Sequence, residues 1–253
     1  MNIDVRLIDQ LRPSLGRHVE HDERSRFYAF RRAVPIETRQ WDSNVSVFDQ
    51  GSLGSCTGNA GVGVLGYLPF YSTLPPDTIL NQDLAISVYS EATVLDSFPG
   101  TYPPTDTGSS GIGVARALKA RNLISGYLHA FSFLDALGAL MDHPIIVGTN
   151  WYTSMFRPSN DGVISILPTD YVEGGHEYIL DGYSEETGRL SFRNSWGIEW
   201  GVNGKFYMTT STFQRLLGED GDATVFVPLS LPAPVPTPPT PKPQGCMAIQ
   251  RRK

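Results

Sequence analysis

The apolar positions of this chain follow two different spacings, one before and one after about residue 143. Between Trp41 and Asp142 the pattern is mainly helical. It predicts helices over 55–68, 83–96, 112–121 and 132–142. From Pro144 onward, short runs of β-branched and aromatic residues alternate with Gly, Asn and Asp turns, which is typical of strands. They predict strands in PIIVGTNWY, GVISIL, EYILDGY, RLSFRNSW and KFYMTT, then a short helix over 211–217 and a last strand, ATVFV.

Helices followed by strands predict an α+β fold with two lobes. We expect a mainly helical N-terminal lobe over about 41–142 and a β-rich C-terminal lobe over about 143–228. Together with the residues from 24 onward they make one domain, 24–228, and its length is ample for a hydrophobic core.

Both ends of the chain differ in composition from this body. Residues 1–23 are polar and charged, and we expect them to run over the surface as an extended arm. Residues 229–253 are a Pro-rich tail, since 228–243 contains eight prolines in sixteen residues. Proline fixes φ and donates no backbone hydrogen bond, so this stretch predicts an extended spacer. The tail is interpreted as a linker, with a docking segment for a partner as the alternative.

Charge and hydropathy exclude several classes of protein. The net charge is −6, and because the last 25 residues carry four positive charges and no acid, the rest of the chain has −10. Such an acidic body argues against nucleic acid as a partner. The N-terminus shows no signal-peptide pattern and no stretch approaches the length of a membrane span. Location stays open: the pattern fits a cytoplasmic protein, a virion-associated one or one exported by another route.

Three motifs resemble known sites but lack their context. GVGVLG at 61–66 matches a dinucleotide fingerprint without the strand that must precede it. We interpret its glycines as small residues that let a buried helix pack closely. His176 and Glu177 begin a zinc pattern that fails at Leu180, and His18 and His21 have no third ligand nearby. The sequence therefore predicts no metal and no cofactor.

The chain has two cysteines, and Cys56 lies in QGSLGSCTG, where a glycine-rich turn meets a helix. A helix N-terminus and an imidazolium favour the thiolate form that nucleophilic chemistry requires. His176, after two glycines at the start of a strand, could supply the imidazole. Asn194 could accept a hydrogen bond from the far ring nitrogen, and the indole of Trp196 could exclude water from it.

Three segments, DQGSLGSCTGNA, GGHEYILDGY and RNSWGIEWGVNGKFYM, resemble the signature blocks of the papain-like cysteine peptidases, in the order of that family. The resemblance covers about 24–228 and points to the bacterial or phage-type branch that lacks a long propeptide. It implies a two-lobed papain-like fold with the active site between the lobes. It assigns Cys56 as nucleophile, His176 as its partner and Asn194 as the residue that orients His176. Trp196 would shield that pair, and Gln50 would donate its side-chain amide to the oxyanion hole.

The chain departs from the family pattern at three positions around these residues. Leu53 stands where secreted members have a disulfide cysteine, and Thr57 replaces the Trp that follows the nucleophile. Glu177 replaces a small residue after the histidine, and its side chain is expected to point away from His176. Because Thr57 opens the cleft wall, the side-chain preference of the family does not transfer.

Two expectations concern the cleft itself. Within the glycine- and serine-rich stretch 107–113, Gly108, Ser109 and Ser110 are candidates for contacts with a substrate backbone. The short N-terminal arm has no helical prosegment pattern, which favours an enzyme that is made active. The alternative is that the arm itself covers the cleft.

The function predicted from the sequence is a thiol peptidase that acts on a polypeptide substrate. One alternative keeps the fold and cleaves the peptides of peptidoglycan, for which a Pro-rich tether would suit a cell-wall enzyme. Another is a catalytically silent scaffold that uses the cleft or the tail for binding alone.

Overall fold

The computed structural model describes residues 12–21, 29–30 and 34–230. The Pro-rich tail after Ser230, with Cys246, lies outside the described residues. Five α-helices occur in the described part of the chain: α1 (Cys56–Val64), α2 (Gln82–Leu95), α3 (Gly111–Ala120), α4 (Phe133–Asp142) and α5 (Thr210–Gly218). All five helices predicted from the sequence are confirmed, although α1 ends four residues early. Four begin at a side chain that accepts a hydrogen bond from the first turn: Asn81, Ser110, Ser132 and Thr209.

The strands form one antiparallel sheet. Their bounds are β1 (Arg39–Gln40), β2 (Gly126–His129), β3 (Ile145–Tyr152), β4 (Val172–Ser184), β5 (Arg189–Arg193), β6 (Lys205–Thr209) and β7 (Asp222–Val227). The order is β2-β7-β3-β4-β5-β6, and β1 pairs with β4 beside this path. The long strand β4 carries His176 and pairs with β3 on one side and β5 on the other.

Two strand predictions need correction. The run GVISIL at 162–167 is not a strand; Val163 makes a single bridge to Tyr207 of β6. Ile164 donates one backbone hydrogen bond to Tyr207, and the run then leaves the sheet edge. Conversely, the four residues of β2 were predicted as neither helix nor strand, yet they pair along their whole length with β7. Both outcomes depend on long-range partners, which a local pattern does not contain.

The buried side chains form two hydrophobic cores. One surrounds α1, α2 and α3 and also takes in Ile146, Ile179 and Phe226 of the sheet. The other lies on the sheet and includes α4 through Ala136, Leu137 and Leu140. Helix α4 therefore packs with the sheet core, although its helical pattern alone did not indicate which partner it packs against.

Helix α1 is buried along its entire length. Its glycines lie where other elements approach closely: a Cβ on Gly58 would lie 2.7 Å from the Cβ of Tyr89, and one on Gly63 would lie 2.9 Å from Ile179. The interpretation of GVGVLG as a close-packing stretch is confirmed. This packing holds the first residue of α1, Cys56, in a fixed position between the helical core and the sheet.

Asp181 connects the two cores through buried polar contacts. Its carboxylate accepts hydrogen bonds from Tyr67 (2.9 Å), Ser191 (2.8 Å) and Lys205 (2.7 Å). Removing one member of a buried charged network leaves the others without partners, at a cost of about 3–5 kcal/mol. We therefore expect Asp181→Ala to lower the free energy of unfolding by about that amount in urea denaturation.

The matched control is Asp161→Ala, which removes an exposed ion pair with Arg189. Exposed pairs contribute about 0–1 kcal/mol. Equal losses in the two variants would contradict the connecting role of Asp181.

Candidate active site

Cys56 is the first residue of α1 and its thiol is free and fully buried. Burial raises the pKa of this thiol to about 12, and hydrogen bonds from the backbone N–H groups of Glu177, Gly16 and Thr57 oppose the shift only in part. The Glu177 contact places the thiol against the backbone of β4, one residue after His176. The thiol therefore lies near the main chain of the strand that carries His176, and His176 Nδ1 makes no hydrogen bond to it.

His176 lies on β4 within a closed aromatic environment. Its Nε2 is 2.7 Å from the side-chain oxygen of Asn194. The ring of Trp196 stacks on the imidazole at 4.5 Å between centroids, and Trp151 meets it edge-on at 4.9 Å. Burial lowers the pKa of His176 to about 4, and the hydrogen bond to Asn194 opposes this shift. The Nδ1 atom has no hydrogen-bond partner among the described residues.

Asn194 is held by its own backbone and by the residue that follows it. Its N–H donates to Gly204 (2.9 Å), and its side-chain oxygen also accepts from the N–H of Ser195 (2.8 Å). The amide oxygen is thus aimed at His176 before any substrate is present. Asn194 and Trp196 thus both contact His176, one through a hydrogen bond and the other through ring stacking.

Gln50 is oriented by Ser195, a residue that the sequence did not single out. Its side-chain oxygen accepts from the Ser195 hydroxyl (2.7 Å), and its backbone N–H donates to the Ser195 carbonyl (2.9 Å). With the oxygen fixed, Nε2 is left to donate, to the carbonyls of Leu53 (2.8 Å) and Ser14 (3.0 Å). The Ser14 carbonyl belongs to the N-terminal arm, so the side-chain amide of Gln50 binds the arm in this structure.

The arm lies in the groove between the two lobes. Ser109, on the helical side, donates its N–H to the Gly16 carbonyl (2.8 Å) and accepts from the His18 N–H (2.7 Å). On the sheet side, the Arg17 N–H donates to the Gly175 carbonyl (3.0 Å). Residues 12–21 of the arm therefore lie over the cleft, which is the alternative that the sequence favoured less.

The three groove candidates differ in their contacts. Ser109 binds the arm backbone as described, and Gly108 lies against it so closely that a Cβ there would be 2.5 Å from the Gly16 carbonyl oxygen. Ser110 instead caps α3 by accepting from Gly113. Its hydroxyl reaches the arm only through the carboxylate of Glu20. Gly108 and Ser109 thus line the groove, and Ser110 supports it.

The sequence did not anticipate the position of Arg17. Its side chain is fully buried and pairs with Asp222 at the start of β7. Glu177 is also fully buried, as the strand alternation required, and its charge acts on Arg17. Glu177, directly after His176, was the sequence signal for a buried positive partner, because a charged side chain inside a sheet needs a group of opposite charge.

Comparisons with known proteins agree on the fold. The protein-family models give no match, and no curated protein matches in sequence. Among solved structures, the chain is similar to xylellain, a cysteine protease from Xylella fastidiosa, with a TM-score of 0.69 and 18% identity over 87% of this chain and 98% of that one. It is also similar to procathepsin L 3 from Tenebrio molitor, with a TM-score of 0.62 and 13% identity over 88% and 78%. The bromelain protease from Ananas comosus is similar with a TM-score of 0.50 and 18% identity. The match covers 73% of this chain and 94% of that one.

The chain therefore has the papain-like cysteine protease fold, with a helical and a β-rich lobe around the groove. Across the described ranges the model has no helix with the length and apolar character to span a bilayer. Nor do the described His, Cys, Asp and Glu side chains gather into a metal-binding group of three or more.

Proposed function

We propose that this chain is a thiol peptidase in which Cys56, His176 and Asn194 act as a triad. The observation that carries the proposal is the 2.7 Å hydrogen bond between His176 and Asn194, covered by the stacked ring of Trp196. Cys56, the first residue of α1, contacts the backbone N–H of Glu177, the residue after His176. A nucleophile, a base and a group that orients the base are the parts that covalent acyl transfer requires.

In the proposed mechanism, Cys56 transfers its proton to His176 and its sulfur attacks the carbonyl carbon of the scissile peptide. The carbonyl oxygen becomes an oxyanion and accepts hydrogen bonds from Gln50 Nε2 and the Cys56 N–H. The C–N bond breaks, and His176 gives its proton to the leaving amine. Water then gives a proton to His176 and attacks the thioester carbonyl. The C–S bond breaks, the carboxylic acid leaves, and His176 returns its proton to the sulfur of Cys56.

We further propose that the described form is latent because of the arm. The Ser14 carbonyl accepts a hydrogen bond from Gln50 Nε2, the group proposed to bind the oxyanion. The Gly16 N–H contacts the Cys56 thiol. The buried pair is neutral at pH 7, since the pKa of Cys56 is raised to about 12 and that of His176 is lowered to about 4. When the arm leaves, water and substrate reach the pair, and the thiolate–imidazolium form becomes accessible.

The function is tested by hydrolysis of a dye-labelled unfolded protein, with the new peptide ends identified by mass. We expect Asn194→Ala to lower kcat by about 100-fold, because a misplaced imidazole loses alignment with the reacting atoms. Asn160→Ala, an exposed turn residue, is the control and should leave kcat unchanged. Equal rates for both variants would contradict the orienting role of Asn194.

A further inference from the structure

The geometry points to an acidic specificity pocket, formed by Glu177 and Asp222, that selects an arginine side chain in the substrate. This inference rests on the proposed peptidase function and names the substrate feature that the cleft would recognise. In the described form, Arg17 of the arm occupies the pocket as a stand-in for that substrate residue.

The pocket is shaped for a long, flat cation. Beside the Arg17 side chain, a Cβ on Gly148 would lie 2.5 Å from the Arg17 Nε and 2.5 Å from a Glu177 carboxylate oxygen. A Cβ on Gly111 would lie 3.1 Å from the other oxygen of Glu177 and 3.4 Å from Asp222. Glycine at these two positions is therefore needed to leave the space that the guanidinium and its partners fill.

Several acceptors meet the guanidinium at the inner end of the pocket. Arg17 Nη2 pairs with the carboxylate of Asp222 and donates to the Asp220 carbonyl at 2.7 Å. Neither the Glu177 carboxyl group nor the Nε and Nη1 of Arg17 makes a hydrogen bond to any described residue. Burial, together with the nearby Asp222, raises the pKa of Glu177 well above its usual value, and the charge of Arg17 opposes that rise. Arg17 therefore favours the ionised form of the fully buried Glu177 and pairs with Asp222, whose side chain is 11% exposed.

A substrate must use the same main-chain contacts as the arm. The backbone N–H of Arg17 binds Gly175, the residue before His176, and its neighbours Gly16 and His18 bind Ser109. A peptide that replaces the arm in this part of the groove places one side chain over the pocket. When that side chain is apolar, it leaves both carboxyl groups without a partner. An arginine restores the pairing that the arm provided.

The pocket favours arginine over lysine because of what lies at its end. The guanidinium binds a carboxylate and a carbonyl through Nη2, at the far end of a long planar side chain. The lysine side chain is one atom shorter, so its ammonium would have to lie deeper in the pocket to donate to the same two acceptors. We therefore expect arginine, then lysine, then uncharged side chains, with acidic side chains cleaved least.

The test uses the full chain with Gly16→Ala. A Cβ at this position would collide with the backbone of Gly54, so the substitution displaces the arm. Quenched peptides carrying Arg, Lys, Leu or Glu at each position before the scissile bond are compared by kcat/KM. We expect arginine at one fixed position to exceed leucine by at least about 30-fold, and Asp222→Asn or Glu177→Gln to reduce that ratio by about tenfold or more. Asp161→Asn, the same change on the surface, should leave the ratio unaltered.

A binding measurement separates this inference from the proposed function. A labelled peptide with the sequence of residues 12–21 is titrated into the Gly16→Ala chain, beside the same peptide with Arg17→Leu. Weaker binding of the leucine peptide by about 30-fold, lost in Asp222→Asn, supports the pocket even when no peptide is cleaved, in which case the peptidase function alone fails. Cleavage without preference for arginine, together with equal binding of the two peptides, overturns the pocket and leaves the peptidase function standing.

Discussion

Replacing Cys56 by alanine is expected to abolish peptide hydrolysis while the protein still folds. The thiol is the nucleophile that forms the acyl-enzyme in the proposed mechanism, and variants that lack such a nucleophile lose about 10⁴- to 10⁶-fold in kcat. Cys56 is fully buried at the start of α1, and an alanine there is smaller and compatible with a helix. The thermal unfolding temperature should therefore stay close to that of the parent chain.

The measurement compares Cys56→Ala with Cys246→Ala, which removes the other cysteine of the chain. Both variants are prepared with Gly16→Ala, so that the groove is open in each. We expect full activity in the Cys246 variant and none in the Cys56 variant. Hydrolysis retained by folded Cys56→Ala protein would mean that this cleft does not use a thiol nucleophile.

Replacing Gly16 by alanine is expected to raise hydrolysis at least about 100-fold above the parent chain. A Cβ at this position would lie 2.5 Å from the carbonyl carbon and 2.7 Å from the Cα of Gly54, and closer still to the Gly54 carbonyl oxygen. These are backbone atoms of the turn before α1, so they cannot move aside as a flexible side chain would. The arm must shift, and its hydrogen bonds to Gln50, Ser109 and Gly175 are then lost. A loss of about 3 kcal/mol in arm binding corresponds to a gain of about 100-fold in the open population.

The matched control is Gly218→Ala, at the exposed end of α5, where a Cβ meets nothing within 4 Å. Its activity should equal that of the parent chain. The measurement is the steady-state rate at which the parent chain, Gly16→Ala and Gly218→Ala hydrolyse the dye-labelled unfolded protein. If Gly16→Ala is no more active than Gly218→Ala, the arm does not hold the enzyme latent.

The parts of the fold and site that could be predicted from the sequence are those with local signals. Helices α2 and α4 have an Asn or Ser cap followed by a regular apolar pattern. The residues of the proposed triad lie in three short blocks whose residue types the proposed chemistry requires. His176, Asn194 and Trp196 could thus be predicted to meet, and the structure places them in contact.

The remaining features depend on contacts between distant residues. The arm is polar along its length, so its sequence indicated a solvated surface segment. In the structure Arg17 is buried, because its guanidinium lies near the carboxyl groups of Asp222 and Glu177. Ser195 gave no signal because its role is to orient Gln50, 145 residues earlier. In the same way, 162–167 has the composition of a strand, but the sheet offers it a single bridge.

We propose that Cys56 becomes a reactive thiolate when the arm leaves the groove. The most direct test is the rate at which an epoxide-type thiol inhibitor labels each cysteine at pH 7, read by intact mass and peptide mapping, with Cys246 as the internal comparison. We predict rapid labelling at Cys56 alone in Gly16→Ala, slow labelling in the parent chain, and loss of the rapid phase when His176→Ala is added. Equal, slow labelling of Cys56 and Cys246 in the Gly16→Ala chain would contradict the account.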